Sequence, residues 1–292
     1  MKNLFEILAV PADRPVPPHV VEMIGVVDGV MQRLDVKYVV AGATARDLVL
    51  WHVHGIKEER ATADVDVAMC AVSWERFNEA VAALIATGRF SAGASQHTLR
   101  FATPSSRFPI PLDIVPFGGL EEPAGQIRWQ PDGDVVMGVL GFDEAIRTAL
   151  PIRIGADVIA PVASPAALVV LKVIAWSERG DRKNTDAPDV LYLAKNYTYI
   201  VDDEIYDAAY DGVMEKYDYR HAIASAEVLG RDARNLASAT TRAELVRIVG
   251  DEARYGRFVQ AALATRLVAH DADGTDAAEE ILDALRAGLL GD

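Results

Sequence analysis

Residues 64–69 read DVDVAM, and this strict alternation is the tightest local constraint in the chain. A period of two sets Asp64, Asp66 and Ala68 on one side of an extended strand and Val65, Val67 and Met69 on the other. The apolar side needs a core beneath it. The other side carries two carboxylates at neighbouring positions of one face.

The segments around this strand fix its company. Residues 37–41 (KYVVA) form a short β-branched run that stops at Gly42, and Thr44 is placed to cap the helix predicted over ATARDLVLWHV. The unit is strand, tight glycine turn, helix. Residues 19–35 space their apolar groups as a helix does, and residues 74–86 form an amphipathic helix. Residues 97–102 and 110–115 read as two strands joined by TPSSRFP, and Ile110, Leu112 and Ile114 share a face that leaves Asp113 on the opposite one. Residues 142–150 predict a further helix, and PIRIGADVIAPV a hairpin turning at residues 155–157.

Past residue 160 the pattern changes. Ser164 and Pro165 suit the N-cap and first turn of a helix running through ALVVLKVIAW, and from there the windows are mostly helical. The expected organisation is an α/β domain over 1–160 followed by a mainly α-helical domain over 161–292.

Composition narrows the class. The 292 residues include 51% hydrophobic and 25% charged side chains, values of a globular chain rather than a disordered or collagenous one. The single cysteine, Cys70, builds neither an internal disulfide nor a cysteine metal site. Glu6 and early prolines make the N-terminus a poor signal peptide, and the apolar stretch over 158–176 is broken by two prolines and Lys172, too interrupted to span a bilayer. The expected location is the cytoplasm, with no membrane partner. A net charge of −14 opposes non-specific nucleic-acid binding but leaves room for a local basic patch.

Phosphate-loop, dinucleotide, zinc-protease and serine-hydrolase signatures are absent. His52 and His54 have neither helical metal spacing nor a catalytic partner, and read as structural or solvated. What carries chemistry is Asp64, Asp66 and Asp113. Strands paired at ~4.8 Å bring the three carboxylates together. Such a cluster repels itself, and a bound cation compensates. Hard oxygen ligands with room for water and phosphate suit Mg²⁺ or Mn²⁺. Two such ions ~3.5–4 Å apart activate an attacking hydroxyl and stabilise a leaving pyrophosphate. The Gly42 turn opens a helix whose backbone N–H groups suit phosphate.

VVAGATARDLVL followed by ATADVDVAM resembles the nucleotidyltransferase superfamily of the polymerase-β type. The resemblance implies an α/β (α+β) nucleotidyltransferase domain with a mixed sheet, followed by the helical domain. It implies that Asp64 and Asp66 ligate metal, that Asp113 holds the catalytic metal and helps deprotonate the acceptor, and that Gly42, Ala43, Thr44 and Arg46 receive the triphosphate. Ala43 stands where the family has Gly or Ser, which leaves Thr44 as the side-chain donor. ALVVLKVIAWSERGDRKNTDAPDVLYL is similar to the abortive-infection (AbiEii-like) nucleotidyltransferase toxins, including the MenT toxins. That likeness implies that Lys172, with Arg182 and Lys183, contacts phosphate, and that Asp186, in preference to Asp189, completes the site.

The resemblance therefore implies transfer of a nucleoside monophosphate from a nucleoside triphosphate to a hydroxyl, with a tRNA 3′ end as acceptor and an antitoxin protein as partner. GATARDLVL also resembles the turn of tRNA CCA-adding enzymes. Adenylylation of an aminoglycoside or of a protein uses the same first motifs, and a non-catalytic regulator keeps the fold without the reaction. Arg220, Arg231, Arg234 and Arg242 read either as a basic face for an acceptor or as a solvated helix surface.

Overall fold

The computed structural model describes residues 6–57, 64–131, 133–179, 185–264 and 272–291. The chain divides into two compact units, residues 1–164 and 165–292.

The first unit opens with β1 (Leu8–Ala9), α1 (Pro18–Arg33), β2 (Tyr38–Ala41) and α2 (Gly42–Asp47). It continues with β3 (Val65–Cys70), α3 (Trp74–Ala86), β4 (Phe90–Ala92), β5 (Thr98–Phe101) and β6 (Ile110–Phe117). A small hairpin follows, β7 (Gln126–Arg128) and β8 (Val136–Gly138), then α4 (Phe142–Arg147), β9 (Leu150–Arg153) and β10 (Ile159–Val162). Eight strands make one mixed sheet in the order β1-β9-β10-β2-β3-β6-β5-β4. The central β3 runs antiparallel to β2 and parallel to β6, and β6 pairs antiparallel with β5.

The sheet buries one side of each strand, as the alternation requires. Val65, Val67 and Met69 of β3 join Leu99 and Phe101 of β5 and Leu112 and Ile114 of β6, all at most 2% exposed. Met23, Ile24, Val27, Val30 and Met31 recur along one stripe of α1 and are buried with them. Ser73 caps α3 by accepting from the Arg76 N–H, which closes an orphan donor of the first turn.

Three local expectations are corrected. The helix after β2 starts at Gly42 with Ala41 as N-cap, so Thr44 lies inside the first turn instead of capping it. The helix continues from Leu48 to Val53 as π-helical turns, where the sequence reads as ordinary helix. The helix predicted over 142–150 stops at Arg147, because residues 150–153 extend into β9 and pair with β1 and β10. The hairpin over β9 and β10 forms as expected, closed by the Ile154 N–H donating to the Val158 carbonyl.

The second unit is helical: α5 (Pro165–Arg179), α6 (Asp186–Asn196), α7 (Thr198–Val201), α8 (Val213–Lys216), α9 (His221–Leu236), α10 (Ala239–Val249), α11 (Glu252–Leu263) and α12 (Ala272–Leu290). Helices α9 and α12 touch backbone to backbone. A Cβ on Gly230 would lie 2.2 Å from the Leu285 carbonyl oxygen, and one on Gly288 2.2 Å from that of Glu227. Among the described residues no helix is long and apolar enough to cross a membrane.

Candidate active site

Strand register assembles the site. Asp66 pairs with Ala41 of β2 on one side and with Asp113 of β6 on the other, and Asp113 pairs in turn with Thr98 of β5. Ala41, Asp66, Asp113 and Thr98 therefore form one row across four strands. Asp64 sits two residues before Asp66, just ahead of β3. One carboxylate oxygen from each of Asp64, Asp66 and Asp113 lies within 4.8 Å of the others, and all three residues are half-buried.

Gly42 makes room for this cluster. Its φ of +62° is the left-handed region that disfavours other residues, and it turns the chain from β2 into α2. An added Cβ there would lie 1.9 Å from Oδ2 of Asp66, so the carboxylate occupies the space a side chain would fill. The Thr44 hydroxyl donates to the Asp64 carbonyl at 3.0 Å and Thr44 is buried. It ties the start of β3 to the first turn of α2, at the turn expected to receive the triphosphate. Arg46 is 5% exposed, with its guanidinium 2.7 Å from Oδ1 of Asp47, so its charge is matched inside the fold. Ala43 stays half-buried beside Gly42 at the opening of the helix.

Asp113 has a partner that the strand pattern did not disclose. The Thr98 hydroxyl donates to its Oδ1 at 2.5 Å. Ser95 Oγ lies 2.7 Å from that hydroxyl, and the His97 ring packs on Trp129 with centroids 5.1 Å apart, while the His97 carbonyl accepts from the Ile114 N–H. These contacts pin Thr98 against Oδ1 of Asp113. The alternation of β5 places Thr98 on a polar face, but only its register with Asp113 reveals the contact.

The second unit holds a different cluster. Lys172 of α5 extends its ammonium to Oδ1 of Asp186 at 2.9 Å and Oδ2 of Asp189 at 2.8 Å, both in the first turn of α6. The two carboxylates are nearly fully buried and Lys172 is 15% exposed at its side chain. Burial pulls the Lys172 pKa down, but the two carboxylates outweigh it and hold the ammonium above the ordinary lysine value. The family likeness favoured Asp186 over Asp189; Lys172 reaches both. Arg179 also approaches Asp186, at 3.8 Å. Arg182 and Lys183 lie outside the described residues.

The four arginines read as a basic face or a solvated surface are engaged or half-buried. Arg220 pairs with Glu280, Arg231 with buried Glu227, and Arg242 donates to the carbonyls of Arg234 and Ala237. The Arg234 guanidinium packs where a Cβ on Gly291 would stand. Of the histidines read as structural, His52 is buried with Nδ1 2.8 Å from the Arg14 carbonyl.

Three carboxylates on adjacent strands, beside a glycine turn that opens a helix, form a hard-oxygen donor set for a divalent cation next to a place for phosphate. A family model described as "Nucleotidyl transferase AbiEii toxin, Type IV TA system" matches residues 29–267, which span both units. No curated protein matches the chain.

Proposed function

Because the chain belongs to the AbiEii nucleotidyl transferase toxin family, we propose that it moves a nucleoside monophosphate from a nucleoside triphosphate to a hydroxyl of an RNA acceptor, a tRNA 3′ end first among them. The acceptor oxygen forms a bond to the α-phosphorus, the bond from that phosphorus to the β-phosphate oxygen breaks, pyrophosphate leaves, and the hydroxyl proton departs. The observation that carries this reading is the meeting of Asp64, Asp66 and Asp113 within 4.8 Å beside a glycine that yields its side-chain space to Asp66.

The donor set fits Mg²⁺ or Mn²⁺, and Asp64, Asp66 and Asp113 are the residues that would hold it. Bound there, a divalent cation supplies charge neutralisation to the phosphates and to the acceptor oxygen. The protein's own part is positioning, which phosphoryl transfer needs more than covalent chemistry. Gly42 and Ala43 present backbone N–H groups to phosphate at the opening of α2. Thr44 and Thr98 fix Asp64 and Asp113, and Asp113 accepts the acceptor's proton. In the second unit Asp186 and Asp189 keep Lys172 charged while using two of its three N–H donors. The third is the one we assign to phosphate, with Arg182 and Lys183 as further phosphate contacts. We assign the action to the cytoplasm, where triphosphate and tRNA both occur, and an antitoxin as partner.

Calorimetric titration with a nucleoside triphosphate checks the ligand directly. Saturable binding that needs Mg²⁺ or Mn²⁺ and is lost in Asp66→Asn is the expected result. Equal binding by wild type and variant removes the carboxylates from the site.

A further inference from the structure

We infer that the outer face of β5 and the β5–β6 loop, carrying Arg100, Arg107 and Phe108, is the docking strip for the single-stranded end of the acceptor RNA, an inference that rests on the transfer reaction proposed above.

Register places the strip. Thr98 and Arg100 lie two residues apart on β5, opposite Asp113 and Pro111 of β6, so they share the face of the carboxylates. Arg100 is the diagonal neighbour of Asp113, about 7–8 Å away between strands. The intervening Leu99 and the following Phe101 face the core at 2% and 0% exposure. The outer face continues onto exposed Ser91 of β4, which pairs with Arg100. Beyond Phe101 the hairpin loop presents Arg107, set over the Phe108 ring at 5.5 Å, and Phe108 is 70% exposed.

Charge supports a polyanion here. The chain carries −14, and many of its arginines are spent on carboxylates. Among the described residues, Arg100 and Arg107 are exposed and make no ion pair. Glu22 of α1, which accepts from Thr103 and Ser105 at the start of this loop, is held by Arg89. The Arg107 guanidinium over an exposed aromatic ring, with exposed Arg100 on the strand that leads to the same loop, suits a phosphate backbone and a stacked base. They repel a polycationic acceptor such as an aminoglycoside.

Direction supports the same occupant. Across the sheet the order is Gly42 turn beside β2, Asp66 on β3, Asp113 on β6, and Arg100 on β5. In-line displacement sets the attacking oxygen and the leaving pyrophosphate on opposite sides of the α-phosphorus. With triphosphate on the Gly42 side of the carboxylates, the acceptor arrives from the Asp113 side, where Arg100 lies.

The test is fluorescence anisotropy of a labelled single-stranded oligoribonucleotide with a free 3′ hydroxyl, over a series of salt concentrations, using the full chain. Arg100→Glu/Arg107→Glu is expected to weaken binding about tenfold or more and to flatten the salt slope by ~0.7 per lost phosphate contact. Phe108→Ala is expected to weaken binding about fivefold with the slope unchanged. Arg128→Glu, an exposed site on β7, is the charge control and is expected to change little. Nucleoside triphosphate binding remains at the wild-type value in every variant. Equal RNA binding by all variants, or an equal loss with Arg128→Glu, overturns the strip. Label transfer to a protein or an aminoglycoside and not to RNA also overturns it while leaving the transfer reaction standing. RNA binding that depends on Arg100 and Arg107 without triphosphate binding upholds the strip and rejects the reaction.

Discussion

Two groups of three charged residues sit in the two units and are built oppositely. In the second unit Lys172 stands between Asp186 and Asp189, and each carboxylate has a cation within 2.9 Å. In the first unit Asp64, Asp66 and Asp113 gather with like charge, and among the described residues neither Asp64 nor Asp113 makes an ion pair. In a buried cluster whose charges cancel, removing one member leaves the others unpaired and costs stability, whatever else the cluster does. A half-buried gathering of carboxylates is instead a donor set that the proposed cation would neutralise. The contrast separates substitutions expected to cost activity alone from those expected to cost stability as well.

The largest effect is expected at the like-charged cluster. Asp64→Asn should lower nucleotidyl transfer by on the order of 10³-fold, without lowering the melting temperature of the metal-free protein, since among the described residues the Asp64 carboxylate makes no ion pair to lose. A lower melting temperature breaks the contrast. Lys172→Met should do the reverse in stability, costing about 3–5 kcal/mol in denaturant titrations because two buried carboxylates lose their cation. In an Asp186→Asn/Asp189→Asn background the same substitution should cost much less.

The pH profile sharpens the second cluster further. The folded ammonium of Lys172 holds its proton more tightly than the unfolded one. Its contribution is therefore complete at neutral pH and is lost as pH rises past the ordinary lysine value. The stability gap between wild type and Lys172→Met is expected to be flat from about pH 6 to 9 and to shrink above about pH 10.4.

Gly42→Ala comes next, at about 1–3 kcal/mol, from a positive φ and from the clash with Asp66. Part of that cost should vanish with Asp66→Ala, and the coupling in a double-mutant cycle measures how closely glycine and carboxylate share space. The smallest effect is expected at Thr98→Val, about 1 kcal/mol for one hydrogen bond. Its signature is slower transfer with triphosphate binding unchanged, because the donor that fixes Oδ1 of Asp113 is lost.

Local periodicity made much of the first unit legible. DVDVAM declares a strand because Val65, Val67 and Met69 need a core, and the apolar stripe of α1 declares a helix for the same reason. The convergence of Asp113 with Asp64 and Asp66 also followed once the strands were neighbours. What stayed hidden depends on tertiary register or on very short elements. β4, β7 and β8 have three residues each, too few for a period to show. The Thr98 contact exists only through the pairing of β5 with β6. Thr44 looked like a cap because glycine turns commonly precede one; Gly42 itself opens the helix and sends the hydroxyl to Asp64. Asp189 looked secondary because sequence spacing does not say which residues of the first turn of α6 reach a lysine on α5.

Label transfer tests the central claim most directly. The full chain is incubated with each of four α-labelled nucleoside triphosphates and Mg²⁺ or Mn²⁺, together with total tRNA, a protein lysate or an aminoglycoside panel, beside Asp64→Asn/Asp66→Asn. Label on tRNA that disappears in the double variant is the result expected. Label that persists in the double variant, or no transfer to any acceptor together with no triphosphate binding, contradicts the assignment of these carboxylates to nucleotidyl transfer.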